Sequence, residues 1–136
     1  YTLSGSESTG TGYWTSGAIY PLILNNGVKL FFVRVTSSNN FTRINEVPSM
    51  IIRVVTDNNN KLTLGKNVFL FGIFDNKIVP FGHKNASYMS FANQCNQKNG
   101  ILSDNGAGCA AWVIFNENMD YLKCDDLSWT GKNKCK

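Results

Sequence analysis

The sequence predicts an α+β domain: an antiparallel β-sheet with one short helix, followed by a disulfide-stapled C-terminal region. Three observations point there. Short β-branched and aromatic runs, separated by Asn- and Gly-rich turns, fill residues 18–80. One stretch alone, Asn85 to Cys95, carries helical spacing of apolar residues. All four cysteines, Cys95, Cys109, Cys124 and Cys135, fall in the last third, spaced C-x13-C-x14-C-x10-C.

Residues 1–136 make one domain, long enough to bury a core without help from a metal. Apolar residues are 43% of the chain, nine of them Phe, too many for a disordered polypeptide. Charged residues are only 16%, so the surface is polar through amides and hydroxyls more than through ions. The net charge of +4 is modest and its lysines are scattered apart from the KNKCK tail. No basic stripe interleaved with aromatics exists, which argues against a nucleic-acid partner. No apolar run is longer than a strand, yet disulfides imply export. The opening YTLSGSESTGTGYWTSG reads as the middle of a longer protein whose leader or apolar segment lies upstream.

Residues 1–17 are Gly-, Ser- and Thr-rich without periodicity and read as a loop, with Tyr13 and Trp14 as packing anchors. Residues 18–35 read as a β-hairpin turning at Asn25-Asn26-Gly27, where Asn and Gly accept positive φ cheaply. A polar loop, Thr36 to Pro48, leads to a strand at Met50–Thr56. After the turn Asp57–Lys61 comes Leu62–Lys66, then an almost wholly apolar strand at Asn67–Phe74, and Asp75-Asn76-Lys77 turns into Ile78–Pro80. Residues 50–80 therefore form an antiparallel meander. In the helix Asn85–Cys95, Tyr88, Phe91, Ala92 and Cys95 would share one face. Ala110–Phe115 reads as a last buried strand with Trp112 in the core. Met119 and Leu122 face inward from a helical turn or an irregular loop.

The cysteine spacing lacks the paired thiolates of a zinc knuckle and the C-x-x-C of a redox motif. An even number closing medium loops reads as two structural disulfides. Four cysteines allow three pairings. The sequential one, Cys95–Cys109 with Cys124–Cys135, is preferred because each bridge closes a short loop rich in Gly, Asn, Asp and Ser.

Catalytic sets are weak throughout. His83 is the only histidine and has no G-x-S-x-G elbow to serve, so it reads as a loop residue and the chain as no enzyme. Asp125 and Asp126, with Asp120 near, are paired carboxylates without a second cluster or substrate groove, and read as turn residues. The run Asp57, Asn58, Asn59, Asn60 supplies the hard oxygens that calcium takes, and calcium is the one cofactor the residue types suggest. It lacks the EF-hand pattern, and an ion-free Asn-rich turn is the preferred reading. Two glycosylation sequons, at Asn40 and Asn85, are expected by chance in so Asn-rich a chain.

Gly108-Cys-Ala-Ala-Trp-Val-Ile114, followed by Asn118-Met-Asp-Tyr-Leu-Lys-Cys124, Leu127-Ser-Trp129 and Cys135, resembles the C-terminal signature of one group of bacterial type IV pilins and type II secretion pseudopilins. Gly17–Pro21 with Asn26-Gly27, then Val55–Asn58 through Gly65–Phe69, resemble that group's middle segment. The resemblance runs from about Tyr13 to the last cysteine. It implies a pilin-like head domain and a structural subunit of a pilus or secretion filament, with self-assembly as the partnership. It also implies export, with inner-membrane anchoring before assembly and then a place in a surface or periplasmic filament. The family's long N-terminal helix, its processing site and its buried Glu have no counterpart here. Membrane contact would run only through that helix, so the chain reads as the ectodomain. The family's Asp-x-Asn-Gly turn is replaced by Asp57-Asn58-Asn59-Asn60. Lateral contacts are expected from Thr36–Pro48 and from the loop Cys124–Cys135, which carries Asp125, Asp126, Trp129, Lys132 and Lys134. Trp129 would anchor that loop while Lys132 and Lys134 stay in solvent. The alternative is an exported adhesin or carbohydrate-binding module using Trp14, Trp129 and the Asn-rich loops.

Overall fold

A computed structural model describes residues 2–3, 7–8, 18–19, 21–34, 49–57, 59, 61–84, 86, 90–96 and 106–136. Six strands form one antiparallel sheet in the order β1-β4-β5-β6-β7-β8: β1 Thr2–Leu3, β4 Leu22–Ile23, β5 Lys29–Arg34, β6 Met50–Val55, β7 Val68–Ile73 and β8 Ile78–Pro80. A two-stranded ribbon pairs β2 Glu7–Ser8 with β3 Ala18–Ile19.

The meander predicted over 50–80 is present. The expected hairpin is shorter than 18–35, because Ala18–Ile19 pairs with Glu7–Ser8 and only Leu22–Ile23 pairs with β5. Pro21, which has no N–H to donate, separates the two short strands. Residues 1–17 are accordingly not all loop: they supply β1 and β2. The hairpin turns where expected, with Gly27 at φ 85° and the Val28 N–H donating to Asn26 Oδ1 at 3.0 Å. Tyr13, Trp14, Tyr88, the loop Thr36–Pro48 and the sequon asparagines Asn40 and Asn85 lie outside the described residues.

Period-2 alternation divides the sheet into two faces. The first carries Phe31, Ile51, Val55, Val68 and Leu70, which cluster with Leu64, Phe81 and Ala107 as the main core. Arg53 stands on that face opposite Phe31, only 2% exposed, its guanidinium 5.6 Å from the centre of the Phe31 ring. Burial lowers its pKa. The pairing register puts Leu22, Leu30, Val54 and Phe69 in one row on the second face, and Phe32, Ile52 and Phe71 in the next. Arg34, Met50, Ile73 and Ile78 form a third. Both faces of this sheet are therefore largely apolar, with Lys29 and Arg53 on the first and Arg34 on the second.

The helical segments sit on the first face. A 3-10 turn, Gly106–Gly108, places Ala107 in the core cluster, and the Ala111 N–H donates to Phe81 O at 2.8 Å. Helix α1 is Phe91–Gln94, with Ser90 as its N-cap accepting from the Asn93 N–H. It is shorter than the expected Asn85–Cys95: Ala86 is not helical, and Ala92 is exposed while Phe91 and Cys95 are buried.

Ala110–Asn116 is a helix, α2, and not the expected strand. Alternate residues of a strand would face the core together. Here the consecutive Ala110, Ala111 and Trp112 are buried while Ile114 and Phe115 are exposed. The two alanines favour helix, and a short apolar run does not reveal its period. Glu117 ends α2 in the left-handed region at φ 55°. A second 3-10 turn, Asp120–Leu122, buries Tyr121 and leaves Leu122 exposed.

Candidate functional site

The residues singled out in the last third come together as one docked unit. Cys95 pairs with Cys109 and Cys124 with Cys135, the sequential connectivity. The first bridge lies in a cluster with Phe91, Trp112, Tyr121 and Leu127. Trp112 stacks on Phe91 with ring centres 4.0 Å apart and planes 12° from parallel. Trp129 meets Phe91 and Phe115 edge-on and tilts against Trp112, but it is not the loop's one apolar anchor: Leu127 is the more deeply buried of the two. That packing engages the aromatic surface a sugar platform would have to offer.

Glycine sets how closely this unit approaches the sheet. A Cβ on Gly106 would overlap Leu64 O, and one on Gly82, at φ 91°, would overlap Gly108 O. The backbone of the 3-10 turn thus directly meets the turn before β7 and the turn after β8. Tyr121 adds a third tie, its hydroxyl donating to Gly65 O at 2.7 Å. Burial raises the Tyr121 pKa above its ordinary value.

The loop between Cys124 and Cys135 is held by three side-chain systems. Asn96 Nδ2 donates to Asp125 O and Leu127 O at 3.2 and 2.8 Å. Asn118 Oδ1 accepts from Trp112 Nε1 and from the Asp120 N–H, while its Nδ2 donates to Asn133 O. Asp120 accepts the Cys135 N–H on Oδ2 at 2.7 Å and the Cys124 N–H on its carbonyl at 3.0 Å. Asp125 and Lys134 are exposed. Lys132 remains partly exposed but is paired there, donating to both oxygens of Asp126 at 2.9 and 2.7 Å, a contact the sequence reading did not anticipate. The two meet because the Ser128 N–H donates to Lys132 O, folding the loop back on itself. The hydrogen bond and charge of Lys132 hold the Asp126 carboxyl below its ordinary pKa.

The Asn-rich turn is organised by a residue that sequence reasoning did not single out. Buried Asn67 donates through Nδ2 to Asp57 O and Lys61 O and accepts from the Thr63 N–H, so two carbonyls of the loop converge on an amide. Asp57 Oδ1 accepts from the Asn59 N–H at 2.9 Å, an Asx turn. Asn58 and Asn60 lie outside the described residues. Among the described residues, no group of three or more His, Cys, Asp or Glu is arranged to hold a metal ion. His83 is half-buried at the edge of Phe115, ring centres 6.2 Å apart.

Asn67, Asn96 and Asn118 are thus the polar residues that hold the loops. Asn67 and Asn118 fall inside the motifs quoted above, whereas Asn96 shows only as an amide in a stretch that must bury its backbone. No helix among the described residues is long and apolar enough to cross a membrane. No protein-family model, curated protein or solved structure matches this chain.

Proposed function

We propose that this chain is the globular head of a filament subunit of the type IV pilin or type II secretion pseudopilin kind, assembled through a long apolar helix laid on the second face of the sheet. That face is the observation that carries the reading. Apart from Arg34 in its third row it is apolar from β4 to β8, and Phe32 and Ile78 on it are 40% and 59% exposed, whereas Ile52 and Phe69 are buried. A sheet apolar on both sides needs a cover on each. The described helical segments cover the first side, and one apolar helix is the simplest cover for the second.

The C-terminal unit supports the same reading. Trp112, Asn118, Asp120, Tyr121 and the cysteines, which carry the resemblance, are the residues that dock this region and shape its terminal loop. Two disulfides suit an oxidising, extracytoplasmic compartment. In the filament, Asp125, Asp126, Trp129, Lys132 and Lys134 present a stapled surface for lateral contacts. The reading frame upstream of Tyr1 tests the proposal. A short basic leader followed by roughly twenty apolar residues is the expected finding. A frame with no such apolar segment overturns it.

A further inference from the structure

The two disulfides differ in accessibility and in what holds their cysteines. Cys95 and Cys109 are 4% and 0% exposed, inside the aromatic cluster. A Cβ on Gly65 would lie 2.6 Å from Cys109 Sγ, so backbone closes over that sulfur. An attacking thiolate must line up behind a sulfur to displace its partner, and here the approach is filled. Cys124 and Cys135 are only half-buried.

The outer pair is also held together without its sulfur bond. Asp120 takes the backbone N–H of both cysteines, Cys135 on Oδ2 at 2.7 Å and Cys124 on the carbonyl at 3.0 Å. Asn118 binds Asn133 O at 3.0 Å and thereby fixes the approach to Cys135. Asn96 grips the start of the loop, and Leu127 and Trp129 pack its middle.

We propose that Cys124–Cys135 is a reversible redox closure templated by Asp120, while Cys95–Cys109 is a locked structural bridge. The partner is a dithiol, either a small molecule or a thiol oxidoreductase of the oxidising compartment. Its thiolate attacks one outer sulfur, forming a mixed disulfide and releasing the other as a thiolate that takes up a proton. The dithiol's second sulfur then displaces the remaining cysteine, which is protonated in turn. Two electrons and two protons pass from the dithiol to the bridge, and the dithiol leaves as a disulfide. Asp120 keeps the reduced thiols adjacent, so reoxidation restores the same pair. Asp120 acts here as a positioning residue.

The test titrates the folded protein in dithiothreitol redox buffers, traps thiols with maleimide and maps the peptides. Cys124 and Cys135 should be labelled first, with the near-ultraviolet circular dichroism of the Phe91–Trp112 stack retained. Cys95 and Cys109 should be labelled only in denaturant. The equilibrium constant for closing the outer bridge should be at least about tenfold larger in native buffer than in denaturant, as a hydrogen bond to a charged acceptor implies. Asp120→Ala should erase most of that ratio and Asp120→Asn, which keeps an acceptor, should restore part of it. Simultaneous labelling of both bridges overturns the proposal, as does loss of the aromatic signal on outer reduction. If Asp120→Ala does not fold, the wild-type ratio decides alone, and equal constants in the two buffers contradict templating.

Discussion

The Tyr121 hydroxyl donates to the Gly65 carbonyl at 2.7 Å across fifty-six residues of chain. This bond ties the C-terminal unit to the turn before β7, beside the buried Cys95–Cys109 bridge. Tyr121→Phe leaves Gly65 O buried without its donor and should cost about 1–3 kcal/mol in denaturant unfolding. The sign of its pH dependence follows from burial. The folded pKa is raised, so the unfolded chain loses this proton first and stability falls as pH rises above about 10. The gap between wild type and Tyr121→Phe should therefore shrink on the alkaline side and stay constant from pH 6 to 9.

Gly82→Ala and Gly106→Ala should each lower stability by about 3–5 kcal/mol, the upper end of single-residue effects. The added methyl group in each case meets a backbone carbonyl, Gly108 O or Leu64 O, which cannot rotate away. Gly27→Ala is the contrast. At φ 85° it is strained but has nothing within 4 Å, so about 1–2 kcal/mol is expected. Chemical denaturation of the three variants checks the ranking, and equal losses would show that the close docking is misassigned.

Asp126 should titrate below an ordinary aspartate because Lys132 hydrogen-bonds its carboxylate. Its folded pKa is depressed, so its contribution exists above the unfolded value near 3.9 and is lost as pH falls through the folded one. The pair is exposed, and the effect on global stability should be small. Carbon-detected NMR titration should find the Asp126 midpoint low in wild type and moved upward in Lys132→Gln.

Replacing Cys124 and Cys135 together by Ser should cost about 2–5 kcal/mol, the usual penalty for a native bridge in a small exported domain. The strands at 50–73 should keep their slow amide exchange, because their pairing does not pass through the loop. Residues 133–136 should exchange faster than in wild type but keep residual protection through Asp120 and Asn118, while Leu127 and Trp129 stay seated through Asn96 and the Phe91–Trp112 stack. Hydrogen exchange resolves the two regions.

The sheet was legible because its signals are local: Asn26-Gly27 demands positive φ, and β-branched runs between Asn-rich turns leave few alternatives. The cysteine pairing followed from loop length. Helix α2 was not legible, since Ala110–Phe115 is apolar under either period and only docking against Phe81 and Phe91 selects one. The short strands at Glu7–Ser8 and Ala18–Ile19 exist by pairing with each other, which no local window reveals. The roles of Asn67, Asn96 and Asn118 were hidden for a related reason. The partners of these amides lie from 2 to 31 residues away, and the distant ones are fixed by the fold while the sequence shows only one more Asn in an Asn-rich chain. The contacts of Lys132 depended on how the loop folds back at Ser128.

Phe32→Glu puts a charge on the second sheet face without touching the core cluster on the first. The isolated domain should fold with a stability change within about 1 kcal/mol, as for an exposed substitution. Under the proposed assembly the same change should prevent an apolar helix from seating on this face. Thermal melts of the domain and recovery of assembled subunits from cells distinguish these outcomes.

Immunogold electron microscopy of parent cells overexpressing the gene, with an antibody raised against this domain, tests the filament-subunit assignment most directly. Gold should align along thin filaments and be lost on deletion of the gene, and lost again with Phe32→Glu. Label confined to dispersed, unassembled protein, or filaments that persist unlabelled after deletion, would contradict it.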